Sequence, residues 1–247
     1  MTNEVTTTAN EISVSMDAFG AAPVSSSDVV IPRLRQMQSM SKEVTDGDRK
    51  LGDIVDTSAG EVVADFKTTF DFLPFHLHKV WLRTVHNGSR YAYDKDDSNC
   101  CIEDVTPANE NRSWEVTIDG KQYKNEKIFQ FYGVRPEDMS IPYIVSYKST
   151  SMKAGRELVT QMYIKNRAAG LTPCGKVISI GSTKVSNTKG TYAVMANKVG
   201  RNATNEEVMK CLEWFKAVQS GEAKASANEE TQSTKSEPSQ PEVTPEF

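Results

Sequence analysis

The stretch from residue 145 to residue 205 combines positive side chains with aromatic ones in a way that suits contact with a polyanion. It holds ten Lys or Arg residues and one carboxylate, Glu157, which gives a net charge of +9. Single-stranded nucleic acid is bound by cations that follow the phosphates and by aromatic faces on which bases stack. We predict that the ten cations contact phosphates: Lys148, Lys153, Arg156, Lys165, Arg167, Lys176, Lys184, Lys189, Lys198 and Arg201.

Four aromatic residues are candidates for base stacking: Trp81, Tyr143, Tyr147 and Tyr192. Tyr143 and Tyr147 are four positions apart in an expected strand and therefore point to one face. The alternative is that these rings belong to the core and that the cations form an ordinary solvated face. For any single tyrosine the core is the better explanation. The collective charge favours binding, because solvated faces usually mix both signs.

Three consecutive hydroxyl residues, 149–151, lie at the expected start of a helix between Lys148 and Arg156. The free N–H groups of a helix N-terminus attract phosphate. The same residues also fit a simple N-cap with incidental charge, and both interpretations stay open. The glycine-rich spacing of a P-loop is absent.

Charge is distributed unevenly along the 247 residues, although the net charge is only −4. Residues 1–120 carry 11 basic and 20 acidic side chains, residues 121–220 carry 16 and 7, and residues 221–247 carry 2 and 6. We predict that the acidic tail competes with nucleic acid for the basic surface. We also predict that Glu242, Glu246 and the terminal Phe247 bind partner proteins. The alternative is an inert, solubilising terminus.

A weak metal-site pattern is formed by His76, His78, His86, Cys100 and Cys101, which include two His and two Cys for a tetrahedral zinc ion. Paired Cys-x-x-Cys spacing is missing, so we predict no metal and no cofactor, and zinc remains the alternative. The four cysteines do not form a disulfide framework, which favours a reducing cytoplasm.

Sequence patterns typical of catalysis are missing. There is no nucleophile elbow, no His-Glu-x-x-His and no dinucleotide fingerprint. The acidic loop 94–97 lacks the glycine and the distal glutamate of an EF-hand. We therefore predict that the protein is not an enzyme. No apolar run approaches eighteen residues and no signal pattern is present, so we expect no membrane contact and a cytoplasmic location.

Two helices and many short strands must position these side chains. The first helix is expected from a cap in residues 149–151 to about Ala169, with Gly170 as its stop. The second begins after the N-cap Thr204, with Glu207 completing a capping box, and runs to about Gln219. Further predicted elements are a short helix over 32–40, strands over 67–74, 79–85, 114–118, 121–123, 127–132 and 141–147, and a hairpin of 177–185 with 191–199.

This order of elements predicts a mainly β fold with a few helices, built around an OB-like β-barrel. We expect three regions: a disordered N-terminal segment (1–28), the nucleic-acid-binding domain (29–219) and a disordered acidic tail (220–247).

The stretch 31–44 followed by Leu51-Gly52-Asp53-Ile54, together with the stretch 142–156, resembles tailed-phage proteins of replication and recombination loci. With its acidic tail and terminal aromatic residue, the whole chain resembles phage single-stranded DNA-binding proteins. The resemblance implies an OB barrel, and a tail that recruits polymerase or helicase–primase and competes with DNA. We therefore expect a non-specific single-stranded DNA-binding protein of phage replication, recombination and repair, acting in the host cytoplasm. The rival is a virion-associated or protein-binding structural module without single-strand preference.

Overall fold

The structure is a computed structural model that describes residues 30–39, 41–188, 190–221 and 224–225. The predicted N-terminal segment 1–28 lies outside these residues. So does nearly all of the predicted tail, with Glu242, Glu246 and Phe247, and so does Lys189.

Strands make up nearly half of the described chain. They are β1 (Val30–Ile31), β2 (Arg33–Gln36), β3 (Ile54–Asp56), β4 (Val62–Ala64), β5 (Thr69–His86), β6 (Tyr91–Ala92), β7 (Cys101–Asp104), β8 (Glu115–Ile118), β9 (Lys121–Arg135), β10 (Asp138–Tyr147), β11 (Lys176–Asn187), β12 (Gly190–Asn202) and β13 (Lys224–Ala225).

The helices are α1 (Lys42–Thr45), α2 (Met152–Thr160), α3 (Asn166–Ala168) and α4 (Asn205–Gln219). A 3₁₀ turn, Ser149–Ser151, precedes α2, and a π-helical turn, Gln161–Lys165, joins α2 to α3. The long helix predicted before Gly170 is therefore confirmed. Gly170 has a φ of +70°, the left-handed conformation that ends many helices.

One curled sheet organises the domain. Its strands follow the order β12-β11-β5-β9-β10-β2-β3-β4, with β6 and β7 added to β5 and β8 added to β9. The sheet bends into a half-barrel, which brings β4 back towards β11. The mainly β prediction is confirmed. The finer OB topology is not confirmed, because an OB barrel has five strands and this sheet has eleven, eight of them on one open path.

Local turn signals set two hairpins where they were predicted. Asp119 and Gly120 have φ angles of +49° and +78°, as the two central residues of a type I′ turn require. They join β8 to β9, and β11 pairs antiparallel with β12, where Asn187 lies opposite Gly190. The strands predicted over 67–74 and 79–85 are one continuous strand, β5, because β9 pairs along most of its length.

The predicted helix over 32–40 is wrong, because residues 33–36 form β2. This strand pairs in parallel with β10 and antiparallel with β3. Leu34 of β2 is buried in one core cluster, and Ile31 of β1 is buried in another. Pairing with distant strands overrides the local helical pattern.

Two cores lie on opposite faces of the sheet. On the concave face, α2 and the turn after it bury Leu158 and Met162 against Phe131 and Tyr147. On the other face, α4 packs Cys211 against a cluster that contains Phe75. These two helices therefore decide which strand residues are hidden and which remain accessible.

Candidate nucleic-acid interface

The outward side of α2 and of the π-helical turn after it carries three of the predicted phosphate contacts. Lys153, Arg156 and Lys165 surround a shallow concavity of about 240 Å³, which Glu157 and Thr160 also line. These side chains face solvent because Leu158 and Met162 point into the concave core. We call this set the basic helix surface; it bears three cations and one carboxylate.

Most of the other predicted cations are also exposed and uncompensated. Within residues 30–39, 41–188, 190–221 and 224–225, the following are exposed and form no ion pair: Lys148, Lys153, Arg156, Lys165, Arg167, Lys184 and Lys198. Lys176 is half-buried. A surface with unpaired charges of one sign attracts counterions, which a polyanion displaces on binding.

Arg201 differs from these cations because a carboxylate neutralises it. Its guanidinium donates to Glu207 through Nη1 at 2.8 Å and through Nη2 at 2.5 Å. Glu207 Oε2 also accepts from the Thr204 backbone N–H at 2.7 Å, and Thr204 Oγ1 accepts from Glu207 N at 3.2 Å. The predicted capping box of α4 is therefore confirmed, and Arg201 supports it from outside the helix.

The capping box predicts a pH-dependent stability. The Arg201 guanidinium, followed by hydrogen bonds from Thr204, lowers the pKa of Glu207 from 4.5 to about 2. A lowered folded-state pKa stabilises the fold above the unfolded pKa, and that stabilisation disappears as pH falls from about 4.5 to about 2. We expect Glu207→Gln to lower the free energy of unfolding by roughly 1–2 kcal/mol at pH 7 and by much less near pH 2.5.

Urea unfolding at both pH values measures this difference. Glu206→Gln is the matched control, because Glu206 is in the same helical turn but is exposed. An equal loss at both pH values for Glu207→Gln would contradict the assignment of the charge to the cap.

Three of the four aromatic residues predicted to stack are core residues instead. Trp81 and Tyr143 are 5% exposed and Tyr147 is 0% exposed. Tyr147 donates its hydroxyl to Asn197 Oδ1 at 2.7 Å, and burial raises its pKa. The indole of Trp81 donates to the Asn109 carbonyl at 3.0 Å. None of these three rings has a face free for a base in the structure, which favours the alternative that they belong to the core. Tyr192 remains half-exposed on β12.

A second concavity, which we call the outer groove, lies where β5, β11 and β12 run side by side. Ser179 is opposite both Lys198 and Asp71 in the strand register, and Gly181 is opposite Ala196. The two small residues leave a depression of about 210 Å³. One carboxylate borders it, since Asp71 accepts from Ser179 Oγ at 2.6 Å. Other lining residues are Phe66, Lys67, Thr68, Thr69, Thr183 and Asn197.

Asn197 joins α2 to β12. It lines the outer groove, and its Nδ2 donates to the Ala154 carbonyl of α2 at 2.9 Å. Because neighbouring residues of a strand point to opposite faces, Lys198 points away from the face of β12 that packs against α2. The basic helix surface and the outer groove are therefore two cationic surfaces on neighbouring elements.

The hydroxyls predicted to favour phosphate at the start of α2 separate into two groups. Ser149 and Thr150 are exposed. Ser151 is buried, and its Oγ accepts from the Met195 backbone N–H at 3.0 Å. It therefore anchors the helix to β12 rather than facing solvent.

The proposed zinc ligands are not brought together. His76 packs between the rings of Tyr132 and Phe215, both at 5.6 Å, and burial lowers its pKa. His78 Nε2 lies 2.8 Å from Asp104 Oδ1, and Cys101 donates to Glu103 at 2.9 Å. Among the residues that the structure describes, no three His, Cys, Asp or Glu side chains form a cluster suited to a metal ion.

None of the helices within the described ranges is long and apolar enough to span a membrane.

Phe66 is the site residue that sequence reasoning missed. The available signal was an aromatic residue followed by Lys67 in a polar segment, 65–68, between β4 and β5.

Comparison with known proteins gives one match. Neither a curated protein nor a solved structure matches the chain. Residues 3–224 match the family described as Pam3 phage gp34-like protein. Because this match covers most of the 247 residues, the chain belongs to the Pam3 phage gp34-like family and is a phage protein.

Proposed function

We propose that this phage protein is a non-enzymatic, non-specific single-stranded DNA-binding protein of replication, recombination and repair in the host cytoplasm. The observation that carries the proposal is a set of exposed cations on α2, the turn after it and β12 that form no ion pair with any residue that the structure describes. In this mechanism Lys153, Arg156, Lys165 and Lys198 contact phosphates. The exposed strand face beside Lys198 accepts the bases, as strand faces do in OB folds.

Salt dependence tests the proposal directly. Each neutralised phosphate of a single strand contributes about −0.7 to the slope of log affinity against log salt concentration. Four contacts therefore predict a slope near −3. We would measure the fluorescence anisotropy of labelled oligo-dT and of a duplex of equal length, from low to moderate salt.

Tight, salt-sensitive binding that favours the single strand would support the proposal. Equal binding to both DNAs would reduce the protein to a general polyanion binder. Binding to neither DNA would favour the rival function, a virion-associated or protein-binding structural module.

The acidic tail is proposed to shield the basic region when DNA is absent. Residues 226–247 carry five Glu and one Lys. Truncation after Ala225 keeps β13, which pairs with β1. We expect it to tighten oligo-dT binding several-fold at low salt and to have little effect at high salt, because screening weakens the competition. Anisotropy titrations of both proteins measure the effect.

A full-length variant with the five tail glutamates replaced by Gln separates charge from length. It should bind as tightly as the truncated protein. Unchanged or weaker affinity in both variants would contradict tail competition. Glu242, Glu246 and Phe247 remain the proposed contacts for replication or recombination proteins.

A further inference from the structure

One face of the Phe66 ring packs against the backbone of Gly52. A Cβ atom added to Gly52 would lie 2.3 Å from Phe66 Cζ, 2.6 Å from Cε1 and 2.7 Å from Cε2. These nearly equal distances put the Cβ direction above the ring face, since a point beyond the ring edge would be markedly farther from both Cε atoms. Only a glycine allows this approach. The backbone of Gly52 therefore supports one side of the ring, while the side chain stays 38% exposed.

The turn that carries Phe66 is held on both sides of the residue. Asp65 Oδ1 accepts from Lys67 N at 2.7 Å and from Thr68 N at 2.8 Å. Thr68 Oγ1 in turn accepts from Asp65 N at 3.1 Å. These hydrogen bonds lower the pKa of Asp65, so its carboxylate is ionised at neutral pH and the turn is intact. A ring fixed in this way loses little conformational freedom when it binds a ligand.

The surroundings of the free ring face suit a nucleotide. Phe66 borders the outer groove, whose small residues Gly181 and Ala196 leave room beside the ring. Lys67 and Lys198 line the same groove and form no ion pair with any part of the chain that the structure describes. An accessible aromatic face flanked by free cations is the combination that single-stranded nucleic acid requires.

We propose that Phe66 is the base-stacking platform of the outer groove, on which one nucleobase of single-stranded DNA stacks while Lys67 and Lys198 contact the neighbouring phosphates. This inference rests on the proposed function and replaces the three buried aromatic residues with an accessible one. It also accounts for single-strand preference, because a base in a duplex is already stacked and has no free face.

Trp114 provides a matched control elsewhere on the molecule. Its side chain is 52% exposed, and the Lys124 ammonium lies 4.5 Å from its ring centroid. Its surroundings are unfavourable for DNA, since residues 87–126 carry nine carboxylates and five cations. Replacing Trp114 removes an exposed aromatic residue without touching the outer groove.

The experiment compares Phe66→Leu, Trp114→Leu and the unchanged full-length protein. Each is titrated with labelled oligo-dT and with an abasic oligonucleotide of equal length and charge. We expect Phe66→Leu to weaken oligo-dT binding by roughly 5-fold or more, and up to 150-fold, which corresponds to the usual contribution of one stacked base. Its affinity for the abasic strand should stay unchanged. Trp114→Leu should bind both strands like the unchanged protein.

The outcomes distinguish this inference from the proposed function. If the unchanged protein binds neither strand, the proposed function fails. If it binds oligo-dT tightly and Phe66→Leu does too, only the platform is wrong. A loss confined to Trp114→Leu would place stacking on the other surface and would also overturn the assignment to Phe66.

A second variant covers the case in which Phe66→Leu does not fold. Phe66→Trp keeps an aromatic ring against Gly52 and adds a fluorophore to the outer groove. We expect oligo-dT to quench the new indole emission at saturation, relative to the unchanged protein, and the abasic strand to leave it unaltered. Equal quenching by both strands, or by neither, would contradict stacking at this position.

Discussion

Reversing the three charges of the basic helix surface is expected to weaken oligo-dT binding by roughly 100-fold at 0.1 M salt. The variant is Lys153→Glu with Arg156→Glu and Lys165→Glu. Each lost phosphate contact removes the release of about 0.7 counterion, so three contacts account for about two decades of affinity at this salt concentration. The slope of log affinity against log salt should become shallower by about 2. Anisotropy titrations from 50 to 400 mM salt measure both the oligo-dT affinity and the slope.

Charge reversal elsewhere controls for the change in net charge. Lys42→Glu, Lys95→Glu and Lys216→Glu alter the same total charge at exposed positions outside both concavities. This control should lose far less affinity and keep the original salt slope. Equal losses in the two triple variants would mean that only net charge matters, and that the protein has no defined phosphate track.

Folding should survive in both triple variants. The replaced side chains are exposed and form no ion pair with any residue that the structure describes, except Lys95, which lies 3.6 Å from Asp96. Exposed substitutions of this kind usually change stability by less than about 0.5 kcal/mol each. Glu157 adds some repulsion on α2, at about 0.2–0.5 kcal/mol per like-charged pair. Circular dichroism of each variant verifies this point.

Local signals were sufficient for the parts of the fold that depend on a few neighbouring residues. The capping box of Thr204 and Glu207 set the start of α4, and Asp119-Gly120 set the turn between β8 and β9. The local pattern predicted a helix where β2 lies, because partners more than a hundred residues away in β10 decide the conformation of these residues. The half-barrel likewise depends on how many strands pair, which alternation along one strand does not encode.

The candidate site divides in a similar way. The spacing of the apolar residues on α2 predicted that its Lys and Arg side chains would be exposed. The strand pattern placed Tyr143 and Tyr147 on one face, but such a pattern does not show which layer covers that face. Phe66 was missed for a related reason. Its ring packs against Gly52, and these two residues are close together only in the folded chain.

Tyr147 supplies the second large expected effect, this time on stability. Tyr147→Ala should lower the free energy of unfolding by about 3–5 kcal/mol, because it removes a fully buried aromatic side chain from a packed core. The ring meets Phe131 edge to face at a centroid distance of 5.4 Å, and Tyr147 Cβ would lie 2.8 Å from a Cβ placed on Gly155. Urea unfolding followed by circular dichroism measures the loss.

Tyr147→Phe separates the ring from the hydroxyl. It keeps the packing and removes only the hydrogen bond to Asn197, so a loss near 1 kcal/mol is expected. Asn197 still donates to the Ala154 carbonyl, which holds α2 against β12 in this variant.

The two Tyr147 variants also decide between the core and the stacking role, because binding and stability should respond independently. A core residue leaves oligo-dT affinity unchanged once it is corrected for the folded fraction. A stacking residue would instead lose roughly 1–3 kcal/mol of binding in Tyr147→Ala, with little loss of stability. That second pattern would require Tyr147 to leave the core on binding DNA. Leaving the core would break the contact with Asn197 and open the packing between α2 and β9, so the cost of exposing the core would oppose the gain from one stacked base.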